Sequence, residues 1–519
     1  MNDWAITLAV FLPAVGAIVV ALVPKDRDRT VRALGIVFTA IPLLIGIGIL
    51  FGFEYGAAGA FGGVAEAREA LQYSVDVSWI SAIDARYFVG LDGISLPMFV
   101  LTLLLSFLCM IYTWSYLPEP GRPKAFIALL LILETGMAGT FVAFDLVLFF
   151  VFWELVLVPM YFLIGLWGGP NREYAAIKFF LYTLFGSVFM LVAFLAIFFS
   201  LPGAERTFDI VQLTQLAMEG EFDRQFQILA FLGIFLGFAI KVPMWPFHTW
   251  LPDAHTEAPT IGSVLLAGIL LKMGTYGFVR IALPILPDGA VAFAPIIAVL
   301  SVIAILYGAL CCLAQRDLKR LIAFSSVGHM GFVMLGISTL TPIGINAAIF
   351  GMVAHGIITG MLFFVAGSVK ERYHTREIAE IGGGMFQVMP RMGGIFAFVA
   401  IASLGLPGLA GFWGEILALL AAFSPAESLQ PYLGLYRTLM VFGAVGTVLT
   451  AGYFLWMMQR VMMGQAPERW KDASLEDVSP LELGAWMPLL LMTFALGILP
   501  VLVTGVTDID VTRIMQVFG

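Results

Sequence analysis

The sequence predicts an all-α polytopic membrane protein of about fourteen transmembrane helices with two inverted five-helix repeats, and three observations predict it. Of 519 residues, 61% are hydrophobic and 12% charged, against about 25% charged in an ordinary soluble domain, and mean hydropathy is +0.98. Apolar runs of about 18 or more residues, long enough to span a bilayer, recur near 4–23, 31–52, 94–114, 125–143, 145–167, 176–200, 227–251, 261–283, 290–312, 318–339, 344–369, 391–424, 436–459 and 485–505. Of 27 lysines and arginines, eighteen fall around the loops after odd-numbered spans, seven on the opposite side, and Lys241 and Lys272 inside spans. The positive-inside rule then directs both termini away from the cytoplasm.

Residues 1–124 form an N-terminal three-helix segment with a long outside loop, Phe53 to Leu91. Its first run follows Met1-Asn2-Asp3 with no basic leader and no small-residue cleavage site, so it is expected to be a retained span and not a signal peptide. Residues 125–283 form the first repeat. A second outside loop, Leu201 to Gln225, carries FDIVQLTQLAM, whose apolar residues at helical spacing predict a short helix on the surface. Residues 290–460 form the second repeat and 461–519 a C-terminal loop and last helix. The inside loop Lys370 to Arg391 holds Gly382, Gly383 and Gly384, but no strand precedes them and no P-loop lysine follows, so no phosphate cradle is expected. A net charge of -8 without a basic cluster argues against nucleic acid as a partner. Cys109, Cys311 and Cys312 lack CxxC spacing, which supports neither an iron-sulfur nor a zinc site, and no metal or cofactor is expected.

The repeats rest on two interrupted spans. In FAIKVPMWPFHTWLPDAHTEAPT, Phe238 to Thr260, a lysine inside an apolar run is followed by Pro243 and Pro246, which free the carbonyls of Ala239 and Val242. Trp245, Phe247 and Trp250 then resemble the interfacial end. In SLGLPGLAGFWGE, Pro407 frees the carbonyl of Ser403 among Gly405, Gly408 and Gly411. The two interruptions lie five spans apart, an odd number, so spans 4–8 and 9–13 run with opposite topology. Paired interruptions in inverted halves point to an ion path.

Titratable residues inside spans share one depth. Glu154 is tenth in its span, Lys272, His329 and His355 each twelfth, and Lys241 and Glu415 accompany the interruptions. At about 1.5 Å per residue they sit roughly 15 to 20 Å from a helix end. A charge at the bilayer centre costs at least about 2.5 to 3.5 kcal/mol, so such residues mark function. Burial disfavours a charged lysine and a neighbouring carboxylate favours it. A carboxylate moving near Lys241 thus loads or unloads its proton, and histidine relays between stronger acids and bases. Glu154 is the expected modulator, in the same repeat as Lys241. Glu134 either joins this track or satisfies a neighbouring helix. His248, Asp253, His255 and Glu257 have metal-like composition but are expected to form a solvated cytoplasmic entrance.

The runs FAIKVPMWPFHTWLPDAHTEAPT, LLKMGTYG (Leu270 to Gly277), SSVGHMG (Ser325 to Gly331) and FWELVLVPMYFLIGLWGG (Phe152 to Gly169) resemble the antiporter-like membrane subunits of respiratory complex I and the related multi-subunit cation/proton antiporters. The likeness runs from about Gly90 to the last span. It implies that Glu154 and Lys241 form the family's glutamate-lysine pair, that Lys272 is its central lysine, and that His329 and His355 bridge toward the exit. Glu415 in GFWGE stands where the M-type branch carries glutamate and the others usually lysine. The resemblance further implies a proton-translocating subunit of NADH:quinone oxidoreductase without a redox centre of its own, in a bacterial inner membrane or an equivalent energy-coupling membrane. Its neighbours would be L-type and N-type antiporter-like chains and lipids, with NADH and quinone bound by other subunits. The alternative is a subunit of a multi-subunit Na+/H+ antiporter.

Overall fold

The structure is a computed structural model that describes residues 4–55, 64–203, 205–471 and 473–518. The Met1-Asn2-Asp3 leader and positions 56–63 of the first outside loop, on which two expectations fall, lie outside the described residues.

With no water in the bilayer to pair with N–H and C=O groups, the apolar runs close their hydrogen bonds internally as helices. In chain order these are α1 (Ala5–Leu22), α2 (Asp28–Gly52), α3 (Ser95–Thr113), α4 (Pro123–Val142), α5 (Leu146–Trp167), α6 (Arg172–Ser200), α7 (Arg224–Lys241), α8 (Thr260–Ile285), α9 (Pro287–Ala314), α10 (Leu318–Ser338), α11 (Pro342–Tyr373), α12 (Pro390–Ser403), α13 (Gly411–Phe423), α14 (Glu427–Val461), α15 (Pro480–Ile498) and α16 (Val501–Met515). Among the described residues, thirteen helices, all but α12, α13 and α16, are long and apolar enough to cross a membrane.

Three boundaries differ from the sequence expectation. The run near 391–424 is two helices of 14 and 13 residues. The run near 227–251 ends as a helix at Lys241 and resumes only as Trp250–Glu257. The last run stops at Ile498, and after Pro500 a separate 15-residue helix, α16, follows. The first outside loop is also not all-α, since β1 (Gln72–Ile80) pairs antiparallel with β2 (Ala85–Leu91). The second holds the expected short helix, Ile210–Met218, which buries Ile210, Leu213 and Ala217 on one side.

Burial ranks the helices. The apolar windows of α8, α10 and α11 are 100, 89 and 94% buried, against 33% for α2 and α14, so the helices carrying Lys272, His329 and His355 form the centre.

Candidate functional site

Asp223 starts α7 by accepting the N–H groups of Gln225 and Phe226, and the prolines after Lys241 end it. The Ala239 carbonyl, expected to be freed, accepts the Met244 N–H at 2.9 Å. The Ile240 carbonyl accepts the Trp250 indole N–H at 2.9 Å. Trp250, expected at an interface, is instead fully buried and serves as this cap.

Lys241 is 2% exposed. Its ammonium lies 5.2 Å from the Trp153 ring and 5.9 Å from the Phe179 ring, an aromatic cage that suits a desolvated cation. The Trp153 indole is fixed by donating to Ser187 Oγ at 2.9 Å. Glu154 is half-buried on α5, and its charge acts on Lys241 through space. Among the described residues, no ion pair joins Glu154 to Lys241.

Lys272 is fully buried at the centre of α8. Two π-helical turns, Leu266–Leu270 and Phe278–Ala282, flank it, a distortion frequent at functional sites. Its ammonium donates to Ala267 O and lies 2.5 Å from His355 Nδ1. The His355 ring faces His329 with centroids 5.7 Å apart. His329 Nδ1 lies 3.0 Å from Glu415 Oε1, and its Nε2 lies 3.1 Å from Ser403 Oγ. Ser403 is the last residue of α12 and Glu415 is in the first turn and a half of α13, so one imidazole joins the two half-length helices. The turn between them uses left-handed Gly405 (φ 83) and Gly408 (φ 93). The turn is tied to α15 by the Ala410 N–H on Thr493 O at 3.0 Å, and α13 by the Trp413 indole on Gly497 O of α15 at 2.8 Å. His329, His355, Thr359, Ser403 and Glu415 line a small cavity of about 30 Å³.

Small residues set these distances. A Cβ on Gly274 of α8 would meet Phe238 O of α7 at 2.8 Å and Lys241 Cβ at 3.2 Å. One on Gly356 of α11 would meet Gly268 O of α8 at 2.9 Å, and one on Gly414 of α13 would meet Gly351 Cα of α11 at 2.8 Å. Each approach falls between two helices that carry neighbouring titratable groups.

The other candidates separate. Glu134 is fully buried in α4, and neither carboxyl oxygen has a hydrogen-bond partner among the described residues. No hydrogen bond or ion pair among the described residues joins it to the Lys272 to Glu415 series. The expected solvated entrance is corrected in part: His248 and His255 are buried, the His255 ring stacks on Phe363 at 4.5 Å, and Asp253 pairs with Lys178 at 2.7 Å, whereas Glu257 borders an open vestibule. Helix packing over the two histidines excludes the solvent that their polarity suggested.

Away from this track, at the opposite end of α8 from Thr260, Asp92 receives the Arg280 guanidinium at 2.5 and 2.6 Å. Burial opposes the Asp92 charge, but Arg280 and the Ser95 N–H hold its carboxyl below the usual carboxylate range. Asp145, which caps α5 through the Val147 and Leu148 N–H groups, is pushed up to about 6 by burial against those bonds.

Sequence reasoning did not find Ser403, Trp153 or Ser187. A hydroxyl or indole in an apolar run carries no charge signal, and only the fold brings these to Lys241 and His329.

Residues 143–450 match the transmembrane family described as NADH:quinone oxidoreductase/Mrp antiporter. The chain is 40% identical to NADH-quinone oxidoreductase subunit M of Rhodobacter capsulatus over 98% of its length and 96% of that protein. It is 39% identical to NAD(P)H-quinone oxidoreductase chain 4 1 of Nostoc sp. over 98% of its length and 90% of that protein. Its fold superposes on a chain of respiratory complex I from Thermus thermophilus with TM-score 0.84 and 28% identity, covering 99% and 100% of the two chains. A chain of the Mrp complex from Dietzia sp. shares the fold at TM-score 0.80 and 20% identity over 99% of each.

Proposed function

The chain belongs to the NADH:quinone oxidoreductase/Mrp antiporter membrane family, and from that premise we propose that it is the M-type, or chain 4, subunit of a proton-translocating NADH:quinone oxidoreductase. It moves protons along Glu154, Lys241, Lys272, His355, His329 and Glu415, driven by redox chemistry in companion subunits. The observation that carries this is the contact series from Lys272 through His355 and His329 to Glu415, at 2.5 Å, 5.7 Å between rings, and 3.0 Å. Proton transfer needs groups within about 3 Å or one bridging water.

The twelfth expected span is α12 and α13 taken together, and the interruptions after Lys241 and Ser403 are those of two inverted repeats, 125–283 and 290–460, between the 1–124 segment and the 461–519 tail. Both termini face away from the cytoplasm, in a bacterial inner membrane or its equivalent, and the vestibule beside Lys319, Lys370 and Arg376 is cytoplasmic. Neighbours are L-type and N-type antiporter-like chains and lipids, while NADH and quinone bind elsewhere in the complex. Moving one charge against 100 mV costs about 2.3 kcal/mol, a difference that a carboxylate changing its distance from a caged ammonium supplies.

Vesicles from a Lys241→Ala strain test this. NADH-driven acidification should be lost. Intact acidification with lost sodium resistance would instead support a Na+/H+ antiporter subunit.

A further inference from the structure

The short helix Trp250–Glu257 directs its carboxyl end into a vestibule of about 350 Å³ bordered by Glu119, Glu257, Glu371, Lys319, Lys370 and Arg376. The last carbonyls of a helix have no partners within it, and together they carry about half a negative charge. Pro259 cannot donate to His255 O, which accepts the Ser263 hydroxyl at 3.0 Å. The next three carbonyls are filled from other parts of the chain. Thr256 O accepts the Arg376 guanidinium, Glu257 O accepts the Gly169 N–H at 2.9 Å, and Ala258 O accepts the Lys319 ammonium at 2.5 Å. Lys319 is 5% exposed, and Arg376 is braced by Asp317 at 3.1 Å. The Glu257 carboxylate stands at the same place, its Oε2 accepting the Asn171 N–H at 3.0 Å.

Carbonyl oxygens at the end of a half-helix are what membrane carriers use to hold Na+, and a carboxylate beside them completes a set of hard oxygen ligands. In this chain Arg376 and Lys319 already donate to those oxygens. We propose that Lys319 and Arg376 are specificity-determining positioning residues that fill an alkali-cation site at the vestibule floor, so that Na+ is refused while protons pass. A proton moves as a charge on side chains and water and needs no oxygen cage. A sodium ion must replace its hydration shell, and the oxygens that would do so are taken. The Arg376 guanidinium also repels a second cation in the partly dehydrated floor, where charges interact more strongly than in water.

This rests on the proton-translocating function above, and the test separates the two. Inside-out vesicles from Lys319→Met and Arg376→Gln strains are energised with NADH, and acidification is measured in sodium chloride and in choline chloride of equal ionic strength. The rate ratio between the salts cancels differences in the amount of assembled complex. Wild type should give a ratio near one. In each variant the sodium rate should fall at least about twofold below the choline rate, as Na+ occupies the vacated oxygens. Lys319→Arg should keep the wild-type ratio. Equal rates in both salts for the variants would overturn the proposal, whereas no acidification by wild type in choline would overturn the proton-translocating function itself. Should Lys319→Met fail to assemble, Arg376→Gln, in the loop after α11, decides by the same ratio.

Discussion

The buried track is built in two ways. From Lys272 to Glu415, polar atoms meet at hydrogen-bond distance except between the two imidazoles, whose gap one water can span. Around Lys241 nothing comparable exists among the described residues. Its ammonium sits against two aromatic rings, and Glu154 acts on it only through space. Direct contacts suit fast proton exchange among groups that stay in place. An ammonium held by ring faces is bound weakly enough, at about 1 to 2 kcal/mol, for a carboxylate to change its charge state by approaching. In the proposed proton path the Lys241 region is thus the controllable element and the Lys272 to Glu415 region the conductor. The close approach of α7 and α8 at Gly274 joins them.

The largest effect should come from cutting the conductor. Lys272→Ala removes the hydrogen bond that links His355 to α8, and proton pumping should fall about a hundredfold, the scale of a lost acid-base group. Acidification by vesicles measures it, normalised to complex content. Substitution in the controllable region should cost less. Glu154→Gln removes one charge acting through space, on the order of 1 kcal/mol, and should slow pumping about five- to tenfold. If Glu154→Gln proved as severe as Lys272→Ala, the two regions would not differ as described.

What was legible in the sequence follows the same division. Lysine, glutamate and histidine stand out in hydrocarbon because their burial is costly, so Glu154, Lys241, Lys272, His329, His355 and Glu415 were visible from residue type and position. The apolar runs were equally plain, since only length and hydropathy decide them, and thirteen appear as long helices. The groups that hold these residues in place were not visible. Trp250 has the composition of an interfacial anchor, yet it caps Ile240 from within the core. His248 and His255 are polar enough to suggest solvent, but α10 and α11 cover them. The hairpin in the first outside loop has its signal in the alternation of Val75, Val77 and Trp79 with Asp76 and Ser78. A search tuned to long apolar runs passes over a period of two.

Within the controllable region the cage should count for less than the carboxylate. Trp153→Leu removes one ring face from Lys241 and the indole bond to Ser187. A loss of about 1 kcal/mol predicts pumping slowed roughly fivefold. Trp153→Phe keeps a ring and should fall between this variant and wild type. Equal pumping by Trp153→Leu and wild type would mean that Glu154 alone sets the charge state of Lys241, and the comparison would lose its aromatic half.

The smallest effect belongs to the conductor and concerns how His329 is kept satisfied in both of its states. When neutral, with its proton on Nδ1 toward Glu415 Oε1, its Nε2 needs a donor. When protonated, Nε2 needs an acceptor. Ser403 Oγ, 3.1 Å away, can be either, because a hydroxyl donates or accepts by rotating. Ser403→Ala would leave Nε2 without this partner in both states, a cost of about 0.5 to 1 kcal/mol that water in the cavity partly offsets. Pumping should slow by no more than about threefold. Ser403→Cys, a weaker donor and acceptor at the same place, should be intermediate, whereas Ser403→Thr should match wild type if the extra methyl fits. A loss in Ser403→Ala as large as that in Lys272→Ala would make the hydroxyl itself a carrier of the proton, and the relay would then run through the end of α12 as well as through Glu415.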